Sequence, residues 1–349
     1  MRRFLQFRPP NCGVDLGSSW GKTVKLVRQK KTPTLDRFAR FPWLDQQHQS
    51  PDQKGTKLQT LWRHLGLKDK SVISSLAGHA VMVKRIFLQA GPEKEIQEKI
   101  SQEAAQYIPF DINDVYLDYH VLDSSSESEN QEVILVASKK KVVQELGQIM
   151  EHSGLNLSIA DVDAFALSNC FEFNYPELTQ EPAYLLDIGG QQSIFAVFWH
   201  NQPLFFREMS LGGNQLTEAI AKILDVDSAQ AEKIKLEGPD ACSQEEKKAV
   251  SRECVNILRS WASEIKRLIG FYQTSFPSAK QAKILLLSGG GSLLQDIEKT
   301  LEQELKIETR HLDPWKNIQI QANDFDPKYL EMVKPQFAVP TGLALRGFI

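Results

Sequence analysis

Three stretches of this 349-residue chain bring carboxylate, hydroxyl and glycine residues together at the ends of apolar runs. The first, GVDLGSSWGK, sets Asp15 two residues before Gly17 and follows it with Ser18, Ser19 and Lys22. LLDIGGQQS repeats the pattern with Asp187, Gly189, Gly190 and Ser193. The pair Gly212 and Gly213 comes next, and SGGGS supplies Gly289, Gly290 and Gly291. Without a Cβ, glycine turns let backbone N–H groups approach the phosphates of a nucleotide. Strand-end aspartates can hold Mg²⁺ through its waters, and a second carboxylate can orient an attacking water. Lys22 adds a positive charge, and the third glycine run would let an adenosine lie against the backbone. Each stretch alone is also what an ordinary tight turn needs. Their order and spacing together make the nucleotide reading.

Elements that could position these residues follow from the hydrophobic pattern. GVDLGSSWGK and LLDIGGQQS are each an apolar strand, a small-residue turn and a second apolar strand, so the chain reads as a duplicated architecture with Asp15 and Asp187 on corresponding strand ends. The segment KKTPTLDRFARFPW reads as polar and proline-bearing, and KGTKLQTLWRHLGL as a helix with Leu58, Leu61, Trp62 and Leu65 at helical spacing. Residues 79–155 read as a small α+β unit. It holds a strand, a helix with Ile96, Ile100, Ala104 and Ile108 on one face, two further strands, and an acidic serine-rich hairpin tip, DSSSESENQ. Strand, turn (HNQP), strand and helix restart from 181, a charged DSAQAEKIKLEG follows, and a long helix spans about 243 to 275. PQFAVPTGLALRGF reads as an extended entry and a terminal helix.

The composition narrows the function classes. The 42% hydrophobic and 24% charged content is that of a soluble globular protein, and a formal charge of −3 gives no basic excess for tracking nucleic acid. Four scattered cysteines without a C-x-x-C pair suit reduced thiols, seven histidines form no H-x-x-x-H pair, and no G-x-S-x-G elbow occurs. No window reaches the roughly 18 to 20 apolar residues of a membrane span, and MRRFLQFRPP lacks the apolar run of a secretory signal. The expectation is a cytoplasmic protein that reaches a membrane only through a partner.

Taken together, GVDLGSS with Lys22, EAAQYIPFDINDVYLDYHVL, ADVDAFAL, LLDIGGQQS, REMSLGGNQLTEAIA, LLLSGGGSLL and FAVPTGLALRGF resemble the actin-like ATPase superfamily of actin, Hsp70, sugar kinases and FtsA. Within it they most resemble the PilM family of type IV pilus assembly. The resemblance spans nearly the whole chain and implies an α/β, actin-like, two-lobed duplicated fold with a small FtsA-like inserted α+β subdomain. The implied layout puts the first-lobe core and phosphate 1 loop in 1–78 and the inserted subdomain in 79–155. The chain would return to the first lobe in 156–180, build the second lobe with its phosphate 2 and adenosine loops in 181–335, and return again with a helix in 336–349.

The resemblance further implies ATP and Mg²⁺ as cofactors. Asp15, Gly17, Ser18, Ser19 and Lys22 correspond to the first phosphate loop and its metal end, and Asp187, Gly189, Gly190 and Ser193 to the second. Asp187 doubles as the catalytic candidate, while Asp15 and Asp187 would hold the metal through water. Gly212 and Gly213 match a pair near the ribose, Gly289, Gly290 and Gly291 the adenosine loop, and Glu264 with Arg267 the helix beside the nucleoside. As an ordinary reading, those two also form an i,i+3 surface ion pair. Asp161 and Asp163 in ADVDAFAL read as helix caps in preference to an approach of either to the metal. Glutamines in GGQQS, where active relatives commonly carry glycine or threonine, point to binding of ATP with slow or absent hydrolysis.

Its implied partner is the cytoplasmic N-terminal peptide of a PilN-like membrane protein, held in a groove involving the small subdomain and the neighbouring lobe. PilO- and PilP-like proteins would be reached indirectly; self-association is also implied, and nucleic acid and direct membrane insertion are not. Two alternatives share the fold. A small-molecule kinase needs a substrate cluster that the chain lacks outside the nucleotide loops. An FtsA-like division scaffold would be expected to continue past GLALRGFI into a linker and an amphipathic helix.

Overall fold

The computed structural model describes residues 10–30, 32–43, 50–78, 81–89, 91–122, 130–199, 202–238, 242–276, 280–321 and 324–348. Most of the serine-rich DSSSESENQ stretch and the start of HNQP lie outside the described residues. In chain order the elements are β1 (Cys12–Leu16), β2 (Trp20–Gln29), β3 (Thr32–Pro42), α1 (Pro51–His64), β4 (Ser71–Leu76), β5 (Val81–Gln89), α2 (Glu93–Tyr107), β6 (Val115–Val121), β7 (Asn130–Lys139), α3 (Lys140–His152), β8 (Asn156–Val162) and α4 (Asp163–Asn174). Then follow β9 (Ala183–Ile188), β10 (Ser193–Trp199), β11 (Gln202–Met209), α5 (Gly213–Leu224), α6 (Ser228–Glu237), α7 (Gln244–Ser275), β12 (Ile284–Ser288), α8 (Ile297–Leu305), β13 (Glu308–His311), α9 (Pro327–Val333) and α10 (Ala338–Leu345).

The chain divides into two compact units, one of Met1–His48, Ser71–Ser75 and Asp163–Ile349, the other of Gln49–Lys70 and Leu76–Val162. In the first unit the same strand order occurs twice. β3-β2-β1-β4 and β11-β10-β9-β12 are each an antiparallel meander whose innermost strand takes a parallel neighbour, and β13 extends the second. The register places Asp15 opposite Lys22 in one copy and Asp187 opposite Ile194 in the other. Asp187 also lies beside Ser288 of β12.

Sequence reading missed β3. Leu35 is buried with Val24 and Leu26, and Phe38 packs among Trp315, Phe325 and Phe337, so tertiary burial overrides the polar flanks. Pro33 is tolerated because its carbonyl accepts from Gln319 N–H on the edge away from β2, and its missing N–H would point the same way. The charged DSAQAEKIKLEG also forms an element, α6, capped by the Asp227 side chain. Residues Lys334–Phe337 before α10 form a 3₁₀ turn where an extended entry was expected, and Pro335 suits the start of that turn.

Two apolar cores cover the faces of the second sheet. Tyr184, Leu186, Phe195 and Leu287 meet Trp261, Ile265 and Leu268 of α7, while Leu185, Phe198 and Leu286 meet Leu167, Cys170 and Phe171 of α4. The 32-residue α7 starts on a capping box formed by Ser243 and Glu246. α10 crosses α4 so closely that a Cβ on Gly342 would fall 1.7 Å from the Ala166 carbonyl oxygen.

In the second unit the sheet β5-β7-β6 packs one face on α2, whose Ile96, Ile100, Ala104 and Ile108 stripe is buried as its spacing predicts. α1 and α3 pack through Gly55, where a Cβ would meet His152, and His152 Nε2 lies 2.8 Å from Asp52.

Candidate functional site

Most of the expected residues gather in the first unit. Strand pairing sets Lys22 across from Asp15, and its Nζ donates to Asp15 Oδ2 at 2.6 Å. The turn between them is held from the end of β3, since Trp43 donates its indole N–H to the Gly17 carbonyl and its backbone N–H to that of Ser19. A Cβ on Gly17 would fall 3.0 Å from the Trp20 carbonyl oxygen and 3.7 Å from both Asp15 Oδ1 and Lys22 Nζ, so the turn itself calls for glycine beside the ion pair.

The second turn closes through Gly189 N–H on the Gln192 carbonyl, and the N-terminus of α5 docks on it: Gly213 and Asn214 N–H groups donate to the Gly189 and Gly190 carbonyls. The two turns also meet each other. Ser19 Oγ donates to Asn214 Oδ1 at 3.3 Å, and a Cβ on Gly190 would fall 2.3 Å from Ser19 Oγ and 2.8 Å from Ser18 Oγ. Ser193 is committed inside the fold, donating to the Leu211 carbonyl at 2.8 Å. At the third turn Gly289 adopts φ +83°, with its would-be Cβ 2.4 Å from the Ile188 carbonyl. Gly291 packs on the Ile188 side chain, while Gly290 has no neighbour near its would-be Cβ. A 3₁₀ turn, Gly290–Leu293, intervenes before α8. Glu264 and Arg267 bond to each other along α7, Arg267 Nε at 3.0 Å, with the arginine well exposed.

The structure decides one role that the sequence left between two and adds a group that sequence reading passed over. Asp163, expected as a cap, belongs to the charged cluster at the first turn of α4. Burial, with Asp15 and Asp187 nearby, pushes its carboxyl well above the usual range, and Ser75 and Lys22 only partly oppose this. Burial likewise raises Asp187, opposed by the Ser288 hydroxyl bond and by Lys22. Burial alone would lower Lys22, but Asp15, helped by Asp187 and Asp163, outweighs it and raises the ammonium. Asp161, by contrast, accepts the N–H of Val162. A second group surrounds the glycine pair: the half-buried Lys235 donates to Glu232 at 2.6 Å, to Thr217 Oγ1 at 2.9 Å and to the Gly213 carbonyl at 3.2 Å.

Three carboxylates thus face one lysine. Among the described residues no three acidic, histidine or cysteine side chains stand close enough to cage a metal directly. The set suits a hydrated Mg²⁺, which keeps several waters and needs only one or two carboxylates. Asp163→Asn removes one charge from this crowd. The variant is expected to be more stable than wild type at pH 7, every tenfold of raised proton affinity being worth about 1.4 kcal/mol. The advantage should vanish below about pH 4, where the unfolded carboxyl is also protonated. Urea titrations at the two pH values check this, and a variant no more stable at pH 7 would remove Asp163 from the cluster.

Duplicated sheets with two facing glycine turns and strand-end aspartates define the actin-like ATPase fold. EutJ from Carboxydothermus hydrogenoformans shares it at TM-score 0.56, 14% identity and 97% and 90% coverage of the two chains. MreB5 of Spiroplasma citri bound to ADP shares it at 0.52, 12%, and 96% and 94%. The family described as type IV pilus assembly protein PilM matches residues 13–348, and the chain belongs to that family. A solved PilM-PilN type IV pilus biogenesis complex is similar at 26% identity and TM-score 0.86, covering 98% of this chain and 99% of the other.

Proposed function

We propose that this protein is an ATP-binding scaffold of type IV pilus assembly that holds the cytoplasmic N-terminal peptide of a PilN-like inner-membrane protein and joins it to the cytoplasmic machinery. The observation that carries the reading is the end-to-end likeness to the PilM-PilN complex at 26% identity. Through its partner the protein would sit at the inner membrane, and among the described residues no helix is long and apolar enough to cross one.

The site supplies the nucleotide half of the proposal. Asp15 and Asp187 would hold hydrated Mg²⁺, and Lys22 would turn part of its charge to a phosphate. Ser18, Ser19 and Gly190 line the meeting of the two turns, so phosphates entering there replace the Ser19–Asn214 bond. Bound Mg²⁺ would neutralise phosphate charge. Burial beside Asp15 and Asp187 raises the proton affinity of Asp163, and the glutamines of GGQQS support slow or absent hydrolysis. A ligand touching both turns favours one arrangement of the two sheets, and so can alter the grip on the peptide.

The test is calorimetric titration of stripped protein with Mg-ATP beside Asp15→Ala and Asp187→Ala. Each change is expected to weaken binding tenfold or more, from losing an interaction of about 1.5–3 kcal/mol with a charged group. Titration of the PilN-like peptide into empty, ADP-bound and ATP-bound protein then measures the coupling. Equal peptide affinity in all three states would leave a scaffold without a nucleotide switch.

A further inference from the structure

We infer that Ser288 is a positioning residue for Asp187, and that through it the third glycine turn controls how well the site uses a divalent cation. The inference rests on the nucleotide reading above and assigns a task to a residue outside both phosphate turns. Ser288 ends β12, and parallel pairing sets it directly beside Asp187. Ser288 is 1% exposed, and its hydroxyl donates to Asp187 Oδ1 at 2.7 Å.

The cross-strand neighbours of the two turn aspartates differ. Asp15 faces Lys22 and gains a salt bridge, whereas Asp187 faces Ile194, which offers it no polar group. Ser288, on the parallel neighbour β12, gives Asp187 the polar partner that β10 does not. By binding one carboxylate oxygen it fixes the rotamer and leaves the other oxygen to a hydrated cation. It does so without the positive charge that would compete with the metal, a hydroxyl being a neutral donor.

Ser288 is also the last strand residue before the turn. Gly289 follows at φ +83°, its N–H bound to the Pro335 carbonyl and its carbonyl bound by the N–H and hydroxyl of Ser292. A ligand that shifts this tightly held turn shifts the Ser288 hydroxyl with it, and the carboxylate follows. A nucleoside on the third turn and a cation at Asp187 would in this way sense each other through two side chains.

The experiment compares full-length wild type, Ser288→Ala and Ser288→Thr in ADP titrations with Mg²⁺ and with EDTA, beside a nucleotide-free crystal structure of Ser288→Ala. The expected result is that Ser288→Ala loses at least fivefold of the Mg²⁺-dependent gain in ADP affinity. Its affinity in EDTA should stay within twofold of wild type, and Ser288→Thr, which keeps the hydroxyl, should retain the gain. In the crystal Asp187 should leave its wild-type rotamer. An undiminished Mg²⁺ gain, or equal losses with and without Mg²⁺, overturns the inference. If wild type binds no ADP, the nucleotide reading itself fails, and the crystal structure decides the positioning claim: an unmoved Asp187 side chain overturns it.

Discussion

Gly342→Ala is expected to destabilise the protein by about 3 kcal/mol, the upper range for overpacking a core. The added methyl would lie 1.7 Å from the Ala166 carbonyl oxygen and 2.5 Å from its carbon, both backbone atoms that no side-chain rotation can move. Relief requires α10 to lift off α4, and α10 is buried along its whole length. Gly290→Ala serves as the control. A Cβ there has no neighbour within 4 Å, so the change should stay within about 0.5 kcal/mol of wild type. Urea midpoints of the two variants measure the contrast, and similar stabilities would mean that the helix crossing is looser than its geometry.

Lys22→Met should be the most damaging change among the charged residues. It leaves Asp15 without its 2.6 Å partner and three carboxylates without a cation. Breaking a buried pair from one side costs about 3–5 kcal/mol when the remaining charge stays ionised. Here the carboxyls can take up protons, so the cost depends on pH. Asp163 and Asp187 already hold protons more tightly folded than unfolded, which lowers stability as pH rises above the unfolded value of about 3.9. Losing the cation strengthens that trend. The gap between Lys22→Met and wild type should be widest at pH 8 and narrow towards pH 4. A gap independent of pH would show that Lys22 stabilises by packing and not by charge.

Much of this molecule was legible from local pattern. The duplication, the turn aspartates, the α2 stripe and the span of α7 all follow from periodicity and turn chemistry, because each is decided by neighbours close in sequence. What escaped is decided at long range. β3 is a strand because Phe38 finds an aromatic cluster nearly 300 residues away, and α6 supplies Lys235 to a glycine pair on another helix. For Asp163 the sequence favours capping over an approach to the metal because capping is local, whereas its burial beside Asp15 and Asp187 depends on where α4 begins in space. The glycines were read as room for a ligand, yet Gly189, Gly212, Gly289 and Gly291 are all required by contacts within the protein itself. Gly17 too is crowded, its would-be Cβ 3.0 Å from the Trp20 carbonyl oxygen, whereas Gly290 has nothing within 4 Å.

The unequal cross-strand partners of Asp15 and Asp187 carry a consequence for how the two halves diverged. A repeat that starts symmetric needs a counter-ion in each copy, and here one copy carries its own in Lys22 while the other presents Ile194. Lys22 pairs directly with Asp15 alone, and Asp187 and Asp163 share its charge only at a distance. Under the proposed Mg²⁺ reading, a cation would belong to the second half more than to the first, and its arrival would load the two copies unevenly.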